Sequence, residues 1–239
     1  MSADHPVIVV TGAAGALGSA LVDQLVEHGA RVAALDRAAA GDALASIAQR
    51  HAGHCVSIVA DTKLPGAWSA VLERVERELG APQGAVLVAG GWRGGKPFWS
   101  DDADAVWQNM LEANLETARA ALQALLPGMV ERRSGSIVLV GSRAAERPWE
   151  SAGAAAYAAT KAAVVALAQA VAAETRASGV RVNVVLPSVL DTPTNRRGMP
   201  DADFSAWVAP ASLSAVISFL LSDAARDVSG AAIPVYGKV

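Results

Sequence analysis

The chain has 239 residues, a length that favours one domain with a sizeable core. With 20 Lys and Arg against 23 Asp and Glu, 52% hydrophobic and 18% charged residues, its composition excludes intrinsic disorder and offers no basic field for nucleic acid or anionic lipid. The single cysteine, Cys55, excludes an intramolecular disulfide and leaves no cysteine-built metal site, so a reducing cytoplasm is the expected compartment and no metal is expected.

The chain starts with acidic Asp4 where a signal peptide would be basic, and export by that route is not expected. Apolar, β-branched runs at residues 7–10, 31–35, 55–60, 85–88, 136–140, 180–186 and 233–235 read as strands. They do not alternate with polar residues, which suits strands buried on both faces. Helix-length segments lie between them, at 16–28 before Gly29, at 66–79 before Gly80 and at 103–130. The Ala-rich run 151–173 carries Lys161 and Gln169 in its interior and reads as a packed helix, not a membrane span. No repeat or composition break divides the chain, so residues 1–239 are expected to form one domain. The expected fold class is α/β: a single Rossmann-type, doubly wound domain with a seven-stranded parallel sheet flanked by helices.

The first strand runs into Thr11-Gly12-Ala13-Ala14-Gly15-Ala16-Leu17-Gly18, and a helix follows at once. Such a turn needs glycine where the backbone folds sharply, where a pyrophosphate approaches the main chain and where helix packs on strand. The helix amino terminus then offers free N–H groups to phosphates. Asp36 ends the second strand, eighteen positions beyond Gly18. A carboxylate there accepts hydrogen bonds from an adenosine ribose and repels a 2′-phosphate, favouring NAD(H), while the adjacent Arg37 leaves NADP(H) open. Asp61, at the end of the third strand, has two readings, a contact to adenine or a strand-end capping acid.

Tyr157 and Lys161 fall one turn apart on one face of the Ala-rich helix. A phenol titrates near 10 and exchanges protons poorly at neutrality. A nearby ammonium, together with an oxidised nicotinamide, favours the phenolate and suits Tyr157 to acid/base work.

On these residues the chain resembles the short-chain dehydrogenase/reductase family over about residues 7–237. The glycine turn, Asp36, the Tyr157/Lys161 pair and the segment Pro187-Ser188-Val189-Leu190-Asp191-Thr192 fall in the family's order. The resemblance implies Tyr157 as catalytic acid/base and Lys161 as holder of the nicotinamide ribose. It implies that Ser142 positions a carbonyl oxygen, that Asn114 supports a proton-relay water and that Thr192 meets the carboxamide. The implied dinucleotide envelope takes in Gly12, Ala14, Gly15, Leu17 and Gly18, then Asp36, Arg37 and Asp61, then Ala89, Gly90 and Gly91, with Pro187 and Val189 beyond. A homodimer or homotetramer is the family norm, and the Ala-rich faces of 109–126 and 154–173 would allow close helix packing between copies.

Two stretches, 88–95 (Val-Ala-Gly-Gly-Trp-Arg-Gly-Gly) and 186–207, are similar to dihydropteridine reductases, which reduce quinonoid dihydropterin with NADH. Those enzymes share the Gly12, Gly15, Gly18 spacing but generally lack the catalytic Ser and Asn that Ser142 and Asn114 supply here. The expectation is hydride transfer between nicotinamide and a carbonyl or imine carbon, with a pterin-like substrate. The alternatives are a 3-oxoacyl thioester or ketone reductase, or an alcohol dehydrogenase; a dinucleotide-sensing regulatory protein is the non-enzymatic one. Ser142 stands fifteen positions before Tyr157, two more than usual, and Ser151 is its substitute.

Six Trp stand against three Phe and two Tyr. Trp92, Trp149 and Trp207 fall on loops after strand ends, and with Met199 they are the expected substrate pocket; Trp92 is the best placed to stack on a flat substrate. The segment 194–207 reads as a lid or as an ordinary exposed loop. Trp68, Trp99 and Trp107 read as helix packing or an interface. His51-Ala52-Gly53-His54-Cys55 has ligand-type atoms but no acidic partner in sequence, and reads as a loop.

Overall fold

Strands apolar on both faces cannot be solvated on either, and each pairs in parallel under helices that cover it. In the computed structural model, which describes residues 5–64 and 66–238, the first half of the chain is β1 (Val7–Thr11), α1 (Ala16–Glu27), β2 (Arg31–Asp36), α2 (Gly41–Arg50), β3 (Cys55–Val59), α3 (Ala67–Glu78) and β4 (Gly84–Leu87). The second half is α4 (Ala103–Met110), a π-helical turn (Leu111–Glu116), α5 (Thr117–Glu131), β5 (Gly135–Val140), α6 (Arg143–Glu146), α7 (Ala155–Thr175), β6 (Val180–Pro187), α8 (Pro193–Gly198), α9 (Pro210–Leu221) and β7 (Ala232–Val235). Asp4 lies outside the described residues.

The described strands form one parallel sheet in the order β3-β2-β1-β4-β5-β6-β7. The expected seven-stranded doubly wound architecture is therefore the observed one. Strand order reverses between β1 and β4, and the crevice at the carboxyl ends there is where ligands bind in such sheets.

Residue alternation along each strand sends side chains to two separate cores. Val7, Val9, Leu35, Ile137 and Leu139 pack with α3, α5 and α7 through Trp68, Leu122, Met129 and Val164. Ile8, Val10, Val32, Val86 and Val138 pack with α1, α2 and α9 through Leu21, Leu44 and Ile217. Each such buried aliphatic side chain contributes about 1.5–3 kcal/mol.

Three local features depart from the sequence reading. The predicted helix 103–130 is interrupted by the π-helical turn, which carries Asn114; such turns re-aim side chains and recur at functional sites. Residues 155–178 are long and apolar enough to cross a membrane, yet 44% of the span is buried inside the domain and Lys161 lies within it. His51 closes α2 and finds the acid that its sequence neighbours lack: its Nε2 lies 2.6 Å from Asp23 Oδ1 on α1, with Arg50 at 3.0 Å from the same oxygen.

Candidate active site

The glycine turn is built as a cradle. Gly12 sits at φ +66°, where a Cβ would lie 2.9 Å from Ala89 N, and a Cβ on Gly18 would lie 2.2 Å from Gly12 O. Glycine is therefore required where β1, β4 and α1 converge. The N-cap of α1 is Gly15, which supplies no side-chain acceptor, so the first amides of the helix are left for an outside one. Thr11 Oγ1 accepts from Ala89 N at 3.1 Å and ties the turn to the end of β4. Asp36 closes the cradle: Oδ2 accepts from Ala14 N at 3.0 Å and Oδ1 from Arg37 N at 2.8 Å. Arg37 itself is exposed. Asp61 accepts from Lys63 N at 3.2 Å, in keeping with its capping reading. An open glycine cradle, uncapped helix amides and a carboxylate at the end of β2 fit a dinucleotide.

On the other side of the switch point the catalytic candidates converge. Lys161 is 6% exposed, and its ammonium donates to the Val140 carbonyl at 2.8 Å. It lies 5.9 Å from the Tyr157 ring centroid. Burial lowers the Lys161 pKa to about 8. Tyr157 is held above the ordinary phenol range by burial, and a side-chain hydrogen bond with Ser142 opposes that. Despite the two additional residues before Tyr157, it is the Ser142 hydroxyl that acts on the Tyr157 pKa. The Ser142 hydroxyl also N-caps α6 by accepting from Ala144 N at 3.2 Å.

Asn114 is buried, and its side chain is fully engaged. Its Oδ1 accepts from Gly91 N at 3.0 Å, and its Nδ2 donates to Gly91 O at 3.1 Å and to Thr160 Oγ1 at 3.3 Å. Thr160 in turn donates to the Tyr157 carbonyl at 2.9 Å. The amide is thus occupied in fixing the strand-end loop to α7. Gly90 fills the gap: a Cβ there would lie 2.7 Å from Asn114 Oδ1 and 3.5 Å from Lys161 Nζ.

Beyond β6, Leu190 pairs with Val208, so residues 191–207 form an excursion closed at its base. Val189 O and Val208 O accept backbone N–H groups across that seam. Thr192 N-caps α8 by accepting from Asn195 N at 3.1 Å. Arg196 forms a bidentate pair with Asp191 at 2.6 and 2.8 Å and lies 4.8 Å above the Phe204 ring, which packs on Trp207. Met199 lies at the exposed end of α8.

The tryptophans divide differently from expectation. Trp68 is buried in the core. Trp92 is largely exposed and packs beside Gly94 and Ala154, next to a cleft of about 350 Å³ lined by Arg93, Lys96, Phe98, Val106 and Ala156. Trp149, expected in the substrate pocket, lines another groove instead, with Phe98, Trp99, Ala159 and Ala162. Those two alanines stand about 140–160° around α7 from Tyr157. The loop that adds two residues carries Trp149 outward.

The short chain dehydrogenase family pattern matches residues 6–202. The chain is 30% identical to an acetoacetyl-CoA reductase of Synechocystis sp., over 98% of this chain and 96% of that protein. A 3-oxoacyl-[acyl-carrier protein] reductase from Brucella melitensis with bound NAD superposes with a TM-score of 0.84 at 26% identity, covering 100% of this chain and 92% of the other. An NADPH-bound short chain oxidoreductase from Pseudomonas aeruginosa PAO1, described as containing an atypical catalytic center, gives 0.86 at 28% identity, covering 98% and 96%.

Proposed function

We propose, for a chain that belongs to the short chain dehydrogenase family and is an NAD(P)(H)-dependent oxidoreductase, that it reduces a ketone or 3-oxoacyl thioester to the alcohol, or runs the reverse. The observation that carries this reading is the buried Lys161, held on the Val140 carbonyl at the end of β5 just before Ser142 and 5.9 Å from the Tyr157 ring on the same face of α7, with the Ser142 hydroxyl near enough to lower the Tyr157 pKa. A bound nicotinamide would supply or accept the hydride. Ser142 and Tyr157 together present two hydroxyls to one carbonyl oxygen; Ser142 orients it, and Tyr157 delivers or removes its proton. Lys161 remains available as the cation that favours phenolate and as a ribose donor. Asn114 fixes Gly91 and α7 so that cradle and acid keep their distance.

The dihydropteridine-like expectation yields here to its alternative. The name of the acetoacetyl-CoA reductase and that of the 3-oxoacyl reductase support a carbonyl substrate, as does a serine in reach of Tyr157, which a quinonoid imine does not need. Asp36 favours NAD(H), and the 2′-hydroxyl-reading carboxylate is supported by its place beside Ala14 N. A homo-oligomer belongs to the same reading, supported by the exposed Trp99 (85%) and Trp149 (75%) beside the Ala face of α7. Turnover of acetoacetyl thioester, a simple diketone and quinonoid dihydropterin, each with NADH and NADPH, tests it. Turnover of the pterin alone would overturn the carbonyl assignment.

A further inference from the structure

We propose that Tyr236 and Glu146 are positioning residues for Ser142, an inference that rests on the reading of Ser142 given above. Ser142 opens α6, a helix of only four residues. A helix that short has no stability of its own, so its direction is set by what holds its two ends. At its start, the Ser142 hydroxyl accepts from Ala144 N at 3.2 Å. At its end, the Glu146 carboxylate accepts from the Tyr236 hydroxyl, and the Arg147 guanidinium lies 5.5 Å over the Tyr236 ring.

Tyr236 is itself anchored from two further sides. Its carbonyl accepts from Ser188 Oγ at 2.7 Å, and Ser188 N donates to Val235 O at 3.2 Å, which binds it to the loop after β6. Two residues on, Lys238 N donates to Ala206 O at 3.0 Å, at the base of the 191–207 excursion. Gly237 makes that approach possible: its φ is +66°, and a Cβ there would lie 2.6 Å from Ala206 O. The phenol therefore joins α6 to a segment whose main chain is already tied to the loops that carry Ser188 and Ala206. Ninety positions separate Glu146 from Tyr236, and no local pattern in the sequence announces the pair.

Loss of the phenol hydroxyl leaves Arg147 over the ring but releases the Glu146 carboxylate, which loosens the end of α6, lets the Ser142 hydroxyl turn among rotamers and moves it from Tyr157. The glycine cradle lies on other strands and is untouched. In Tyr236→Phe, kcat for acetoacetyl thioester should fall about three- to tenfold, the worth of one partly exposed hydrogen bond, with KM for the dinucleotide unchanged. Amide exchange of residues 143–147 should quicken while β5 keeps its protection. Glu146→Ala should reproduce the loss, and Glu146→Gln, which keeps an oxygen acceptor, should recover most of it. In a Ser142→Ala background, Tyr236→Phe should cost nothing further in kcat. An equal loss in both backgrounds, or wild-type kcat and exchange in Tyr236→Phe, overturns the proposal. If Ser142→Ala keeps wild-type turnover, the catalytic reading of Ser142 fails, and unchanged exchange in 143–147 would separately sink the tether.

Discussion

The Lys161 ammonium lies 2.8 Å from the Val140 carbonyl, buried against the end of β5, and among the described residues that carbonyl is its one hydrogen-bond acceptor. Burial lowers its pKa from 10.5 to about 8. A cation whose pKa is lower in the folded than in the unfolded chain opposes folding at all pH values below about 8. The cost is relieved as the pH climbs to the unfolded value of 10.5.

Lys161→Met should therefore stabilise the protein at pH 7 while abolishing turnover. The gain is about 1–2 kcal/mol once the Val140 carbonyl left without its donor is counted, a rise in Tm of a few degrees for a chain this size. The difference in Tm between variant and parent should shrink towards pH 10.5. Equal differences at pH 7 and pH 10 would show that Lys161 is not held charged against burial. Function at this position is thus bought with stability.

The chain has two tyrosines, which makes their ionisation separable by absorbance. Burial and Glu146 push Tyr236 up to about 12, and burial raises Tyr157. In Tyr236→Phe the remaining tyrosinate step belongs to Tyr157; it should lie above the ordinary phenol range in the protein alone and move down on addition of NAD. Tyr157→Phe should lower kcat about 10²- to 10⁴-fold with dinucleotide binding kept. Retention of full turnover by Tyr157→Phe would remove it from the acid/base role.

The sheet, the glycine turn and the spacing of Tyr157 and Lys161 were legible because each is written in contiguous residues. Buried strands show as unbroken apolar runs, and one helical turn is a fixed offset of four. The occupied amide of Asn114 was not legible, since the π-helical turn that aims it is a one-residue irregularity in an otherwise regular helical pattern. The groove that Trp149 lines with Phe98 and Trp99 was not legible for a related reason: position after a strand end says which loop carries a side chain, and not to which side the loop turns. The Glu146–Tyr236 and His51–Asp23 pairs are joined only by the fold.

Asp36 does two things that a substitution can pull apart. Its Oδ2 holds Ala14 N in the turn, and in the proposed complex its carboxylate faces the ribose. Asp36→Ala should lower kcat/KM with NADH about tenfold or more and shift the NADH-to-NADPH ratio by a similar factor, because the repulsion of a 2′-phosphate goes with it. Asp36→Asn keeps an acceptor for Ala14 N but loses the charge. It should shift the ratio nearly as far with a smaller loss of Tm, since its amide nitrogen cannot accept from Arg37 N, while Asp36→Ala loses both acceptors and about 1 kcal/mol or more of stability. An unchanged ratio in both variants would refute the ribose role.

Gly18 tests whether the cradle needs close packing as well as flexibility. Its φ is not in the left-handed region, so alanine meets no backbone strain, and the whole effect of Gly18→Ala must come from space. The added Cβ would stand 2.2 Å from Gly12 O and 2.7 Å from Ala13 Cα, both backbone atoms that cannot rotate away. The turn has to move off α1, and the first amides of that helix move with it. Overpacking of this kind costs about 1–3 kcal/mol. Dinucleotide affinity should fall more steeply than that stability loss alone implies, because the phosphate-facing amides are displaced directly. Gly198→Ala is the matched control: nothing lies within 4 Å of a Cβ there, and it sits at the end of α8 outside the cradle. Calorimetric titration with NADH should separate the two, with Gly18→Ala weakened about tenfold or more and Gly198→Ala close to the parent. Equal affinities would mean that the turn does not hold the pyrophosphate.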